Sequence, residues 1–73
     1  MVILAKKNLR EFRIRAGLSI SGLAEKAGVN PATISYIENS RRHPSPPTAK
    51  KICDALNRSF DEIFELKEAN HGV

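Results

Sequence analysis

Residues 19–40 read "SISGLAEKAGVNPATISYIENS", and their local chemistry predicts two short helices. Ser19 has the side chain of an N-cap, so one helix should run from about Ile20 to Ala27, with Leu23, Ala24 and Ala27 inward. Gly28 closes it, because glycine enters left-handed backbone at little cost. Asn30 then caps and Pro31 opens the next helix, which ends near Ser40 with Ile34 and Ile37 on its inner face. Its outward face is unusual: Pro31, Ala32, Thr33, Ser35, Tyr36 and Asn39 are small or neutral, with no charge before Glu38. Two short helices joined by a glycine-containing turn, with small residues at the crossing, make a helix-turn-helix. Such a unit cannot bury its own apolar faces, so the rest of the chain must complete the core.

Working outward, a preceding helix is predicted from about Ile3 to Ala16, with Ala5, Leu9 and Phe12 on one face. Gly17 ends it. The opening "MVIL" is open between a short strand and a first helical turn. After residue 40, "SRRHPSPPT" is a stiff basic loop. Ser45 and Pro46 start a fourth helix whose stripe is Ala49, Ile52, Cys53 and Leu56. Cys53 therefore reads as a core residue, since a free cysteine packs as a small hydrophobe. Ser59 and Glu62 form a capping box for a fifth helix, Phe60 to Leu66, with Phe60 and Ile63 inward. One domain over residues 1–66 is expected, followed by a polar, frayed tail, 67–73.

Seventy-three residues suit one small domain. The single cysteine excludes an internal disulfide framework and a Cys-based zinc site. His43 and His71 are too few for metal binding, so no metal and no cofactor is expected. No apolar run approaches the ~20 residues that span a bilayer, and "MVILA" is too short for a signal-peptide core. No membrane association and no small-molecule ligand are expected, and a cytoplasmic location is. The charge is uneven. Residues 1–51 carry ten Lys/Arg against three Asp/Glu, and residues 52–73 carry two against five. A polyanionic partner would find its footprint on the first two thirds of the chain.

The chain resembles the Cro/phage-repressor-type (xenobiotic-response-element-like) helix-turn-helix family. The resemblance rests on "LREFRIRAGLS" (9–19), "LAEKAGVNPATISYIENS" (23–40) and "PSPPTAKKICDALNRSFDEIF" (44–64). Within them, Arg13, Gly17, Leu18, Ser19, Leu23, Ala24, Gly28, Val29, Ile34, Ser35, Ile37 and Glu38 follow the family's habitual series. The resemblance implies an all-α, five-helix lambda-repressor-like domain whose third helix enters the DNA major groove. It also implies a basic loop on the phosphates and a homodimer on a near-palindromic operator; no enzymatic activity is expected, since no residues resemble a catalytic constellation. Matching residues in the family form a partly buried ion pair, here Arg13 with Glu38, so Arg13 is discounted as a DNA-contacting charge.

That setting accounts for the small outward face. Bases in the major groove offer neutral donors and acceptors and the thymine methyl. Charge that attracts DNA can sit around the reading helix rather than on it. Ala32, Thr33, Ser35 and Tyr36 are the candidate base contacts. Ser19, Ser21, Asn39, Arg41, Arg42 and His43 are the candidate phosphate contacts. Two positions depart from the family's habit. Pro31 and Ala32 stand where hydrogen-bonding side chains are common, and Ile20 stands where glutamine often holds a phosphate. Ala32 can offer only apolar contact, and DNA shape must contribute to specificity.

The leading expectation is a sequence-specific transcriptional regulator of the repressor kind, with the phage, restriction-controller and antitoxin settings left open. The alternative is a protein-interaction module that uses Ile20, Tyr36 and Phe64 as a docking surface on the same scaffold. Phe64 and Leu66 are expected at a dimer interface, since Phe60 and Ile63 already fill the core beside them.

Overall fold

A computed structural model describes residues 1–68. The element order is β1 (Val2–Ala5), α1 (Asn8–Arg15), α2 (Ile20–Ala27), α3 (Pro31–Glu38), α4 (Pro46–Leu56), α5 (Phe60–Ile63) and β2 (Phe64–Lys67). The five helices occur in the expected order, and four begin at the caps that local chemistry demands, Ser59 through its capping box with Glu62. Ser19 Oγ accepts from the Gly22 N–H at 2.9 Å, and Asn30 Oδ1 accepts from the Ala32 N–H at 2.8 Å. Ser45 Oγ accepts from the Thr48 N–H at 3.4 Å. Each satisfies a donor that the first helical turn leaves without a partner. Gly28 closes α2 with φ of 74°, and its N–H reaches back to the carbonyls of Ala24 and Glu25.

Two helices are shorter than their sequence pattern predicts, for one shared reason. β1 and β2 pair antiparallel, with Ile3 opposite Leu66 and Ala5 opposite Phe64. The first helix therefore starts at Asn8 and not near Ile3, and the fifth ends at Ile63 and not at Leu66. The Lys6 N–H continues the link, donating to the Ile63 carbonyl at 2.8 Å. β-branched Val2 and Ile3 favour this pleated arrangement. Lys67 belongs to β2, so the folded unit runs past residue 66. The rest of the expected polar tail, from residue 69 on and including His71, lies outside the described residues.

The core joins every element: Ile3, Leu9, Leu23, Ala24, Ile34, Ile37, Ala49, Ile52, Cys53, Ile63 and Phe64 are among its buried members. Phe64 corrects the sequence reading. It is 0% exposed and stacks at a tilt on Phe60, with centroids 5.5 Å apart. Its place four residues after Phe60 already favours the inner face, and its pairing in β2, opposite Ala5, holds it there. Phe64 is thus a core residue and not an exposed contact, while Leu66, near the open end of the ribbon, is 57% exposed. Ile20 is half-buried and packs on the core. Of the three residues offered for a docking surface, only Tyr36 is exposed.

Cys53 is buried at 6% exposure. Burial, and then the Asp54 charge, push its thiol above the ordinary value, so it stays protonated. Glu62 shifts the other way. Its carboxylate accepts from the Ser59 N–H at 3.1 Å and the Ser59 hydroxyl at 3.0 Å, which holds its pKa below the ordinary 4.5. A depressed carboxylate stabilises the fold above its unfolded value, and that contribution is lost as pH falls through the folded one. Thermal melts of the native chain and of Glu62→Gln should therefore differ at neutral pH and converge as the pH is lowered past that window. A gap that persists undiminished in acid would mean the cap does not depend on ionised Glu62.

Candidate nucleic-acid interface

The surface of interest begins with α3. Ile34 and Ile37 are fully buried against the rest of the core, which fixes the rotation of the helix. Pro31, Ala32 and Tyr36 are then exposed, and Thr33 and Ser35 half-buried. Ala32 and Tyr36 are four residues apart and share a face. The four candidate base contacts thus lie on the outward side, two fully presented and two at its margins.

Past α3 the chain turns back on itself. Asn39 caps the helix and its side-chain amide donates to the Ser35 carbonyl at 2.9 Å. Ser40 takes a positive φ of 58°, and the Arg41 N–H then donates to the Tyr36 carbonyl at 2.8 Å. This reversal sets the basic loop beside the outward face. Ser35, Tyr36, Asn39 and Arg41 line one shallow groove. The Arg42 guanidinium lies over the Tyr36 ring, 5.2 Å from its centroid. Arg41, Arg42 and His43 are all exposed.

At the other edge, Ser19 and Ser21 are exposed at the start of α2. The Ser19 oxygen is already used as a cap, so its hydroxyl hydrogen is what remains for an outside acceptor. The α2 N-terminus adds the positive end of the helix dipole. Lys26, Arg41 and Arg42 form no ion pair among the described residues, whereas Lys50 pairs with Asp54 and Arg58 with Glu62. Lys6 donates to the Asp61 carbonyl at 2.6 Å, which ties it to α5. Lys7, Arg10, Arg15, Lys51 and Lys67 are also without an ion pair among the described residues, but Arg41 and Arg42 are the two set against the outward face of α3.

Beneath this surface Arg13 spans α1 and α3. Its Nε donates to Glu38 Oε2 at 2.6 Å and its Nη2 to Glu38 Oε1 at 3.2 Å. Its Nη1 donates to the Leu18 carbonyl at 2.8 Å. The two side chains are only 10% and 6% exposed. The pair braces the C-terminal end of α3 and holds the α1–α2 connection; three of the five guanidinium N–H donors are spent on it, and burial keeps Arg13 away from a phosphate.

The helix-turn-helix family profile matches residues 9–63. The chain belongs to that family. As a helix-turn-helix protein of the transcriptional-regulator type, it is 37% identical over 65 residues to the uncharacterized HTH-type transcriptional regulator YgzD of Bacillus subtilis. That match spans 89% of this chain and 98% of YgzD. Its fold is similar to the restriction-modification controller protein C.AhdI from Aeromonas hydrophila, with a TM-score of 0.73 at 30% identity, covering 77% of this chain and 85% of C.AhdI. It is also similar to SinR of Bacillus subtilis, the master regulator for biofilm formation, in the crystal structure of its complex with DNA. There the TM-score is 0.71 at 34% identity, over 75% of this chain and 89% of the chain in that structure. This helix-turn-helix protein thus has the lambda-repressor-like fold of DNA-binding regulators. None of its described helices is long and apolar enough to cross a membrane. No group of three His, Cys, Asp or Glu that could hold a metal occurs among the described residues.

The Arg42–Tyr36 stack was not foreseeable from sequence. It depends on the positive φ of Ser40, and serine gives no sign of adopting it. The free hydroxyl hydrogen of Ser19 follows from the cap and was readable.

Proposed function

We propose that this chain binds a near-palindromic operator in double-stranded DNA as a homodimer and represses transcription by occupying it. The reading is carried by one observation: α3 presents a small, uncharged face, and Arg41 and Arg42, which no carboxylate neutralises among the described residues, lie directly beside it. Such a face can approach base edges closely, while the surrounding charge supplies attraction to phosphate. In this reading α3 lies in the major groove. Ala32 and the Tyr36 ring meet thymine methyls, and Thr33, Ser35 and the Tyr36 hydroxyl exchange hydrogen bonds with bases. Ser19, Ser21, Asn39, Arg41 and His43 hold phosphates.

Pairing is proposed because one short helix spans only a few base pairs, and a second copy doubles the contacts. Third helices of the two copies would then enter successive grooves about 34 Å apart. Occupancy alone accounts for repression, and the chain acts by binding rather than catalysis. Its place is the cytoplasm, with the DNA.

Arg41 gives the sharpest test. Arg41→Ala should weaken binding to every duplex alike and lower the salt slope by about one phosphate. Titrations at several salt concentrations, on a selected duplex and on a random one, measure both. A loss confined to the selected duplex would assign Arg41 to bases instead, and a salt-independent affinity would remove the electrostatic basis of the reading.

A further inference from the structure

We infer that Arg42 is a specificity-determining residue that reads a guanine, and is not one of the phosphate clamps; this rests on the proposal that α3 reads DNA. The starting point is what α3 itself lacks. Strong discrimination of a base pair usually comes from a bidentate contact, two hydrogen bonds made by one planar side chain. Thr33, Ser35 and Tyr36 each carry a single hydroxyl. Asn39 has a planar amide, but it is the C-cap, beyond the last helical residue, and one of its N–H groups is spent on the Ser35 carbonyl at 2.9 Å, which holds the amide back against the helix end. Pro31 and Ala32 offer only apolar surface. Within Pro31–Glu38 no outward side chain can make a planar two-point contact.

The loop supplies one. Arg42 carries a planar fork of donors, and its guanidinium carbon lies 5.2 Å from the centre of the Tyr36 ring. That is within the range of a cation–π contact, which Arg favours because it is planar and weakly hydrated. Tyr36 stands on the same face as Ala32, one turn further along, and is 41% exposed. The stack therefore places the fork at the end of the base-facing stripe and not at the tip of the loop. Stacking restrains the plane of the guanidinium and leaves its edge free. An edge of paired donors matches the O6 and N7 acceptors of guanine in the major groove. Arg41 lacks this restraint: it lines the groove with Ser35, Tyr36 and Asn39, but makes no cation–π contact with the ring among the described residues.

Arg42 therefore selects one guanine in each half-site, and Tyr36 positions it. A lysine in its place would keep the charge, and with it any phosphate contact, but would lose the fork. The test is selection from a random duplex pool with the native chain, Arg42→Lys, Arg41→Lys, Tyr36→Phe and Tyr36→Leu, each first checked for an unchanged thermal melt. The native consensus should contain one guanine per half-site whose preference over other bases falls by roughly 5- to 150-fold in Arg42→Lys. The other positions and the salt slope should be retained. Tyr36→Phe, which keeps the ring, should keep that guanine, and Tyr36→Leu should lose it. Arg41→Lys should leave the consensus intact. If Arg42→Lys selects the native consensus unchanged, or the consensus holds no guanine that Arg42 controls, the inference is overturned while DNA binding stands. If the native chain enriches no duplex, both readings fall together.

Discussion

Phe64→Asp should leave the chain without a cooperative unfolding transition. Phe64 is 0% exposed, packs on Phe60 and sits on the core face of β2 opposite Ala5. Truncating a buried Phe to Ala costs about 3–5 kcal/mol, and aspartate adds the desolvation of a charge with no partner nearby. At roughly 0.05–0.15 kcal/mol per residue, a domain of this size holds about 4–11 kcal/mol in all. The substitution alone removes most of that or more. Urea melts followed by circular dichroism measure it. Leu66→Asp is the contrasting case. At 57% exposure it should leave the melt nearly unchanged, yet it places a charge on the apolar surface proposed to meet a second copy. Sedimentation should then show a native dimer on operator DNA and a weakened one for Leu66→Asp. A folded, helical Phe64→Asp would show that the ribbon does not seal the core. A Leu66→Asp dimer as tight as the native one would move the proposed interface elsewhere.

The contrast between these two neighbours shows where the sequence stops being informative. The helix-turn-helix was legible because its signals are local: Ser19, Gly28, Asn30 and Pro31 each act on backbone within a few residues. The α4 stripe was legible for the same reason, since Ala49, Ile52, Cys53 and Leu56 share one helix. The ribbon was not. "FDEIFELK" keeps helical spacing through Phe60, Ile63 and Phe64, and only pairing with a segment about 60 residues earlier turns its second half into a strand. A non-local hydrogen-bond ladder overrode local propensity. The site divides along the same line. Burial of Ile34 and Ile37 predicted which residues of α3 face outward. The position of Arg42 required a backbone reversal at Ser40 that no residue type announced.

Glu38→Ala should cost about 3–5 kcal/mol, the usual penalty for leaving one half of a buried pair behind. The estimate needs little discount for solvent, because the two side chains are 10% and 6% exposed. After the substitution, Arg13 would keep only its bond to the Leu18 carbonyl, with a full charge enclosed between α1 and α3. Arg13→Ala should cost as much by a different route. It orphans the Glu38 carboxylate and also frees the Leu18 carbonyl that ties down the α1–α2 connection. Either loss approaches the whole stability of so small a domain, so both variants should melt far below the native chain. Removing both charges is predicted to be milder than removing one. In Arg13→Met with Glu38→Leu neither partner is left uncompensated, and apolar side chains of similar size can refill the space. Thermal melts of the two single variants and the double variant form a complete cycle. Recovery in the double variant would locate the penalty in the orphaned charge. Single variants that melt with the native chain would show that water reaches the pair and that α3 is held in place by Ile34 and Ile37 alone.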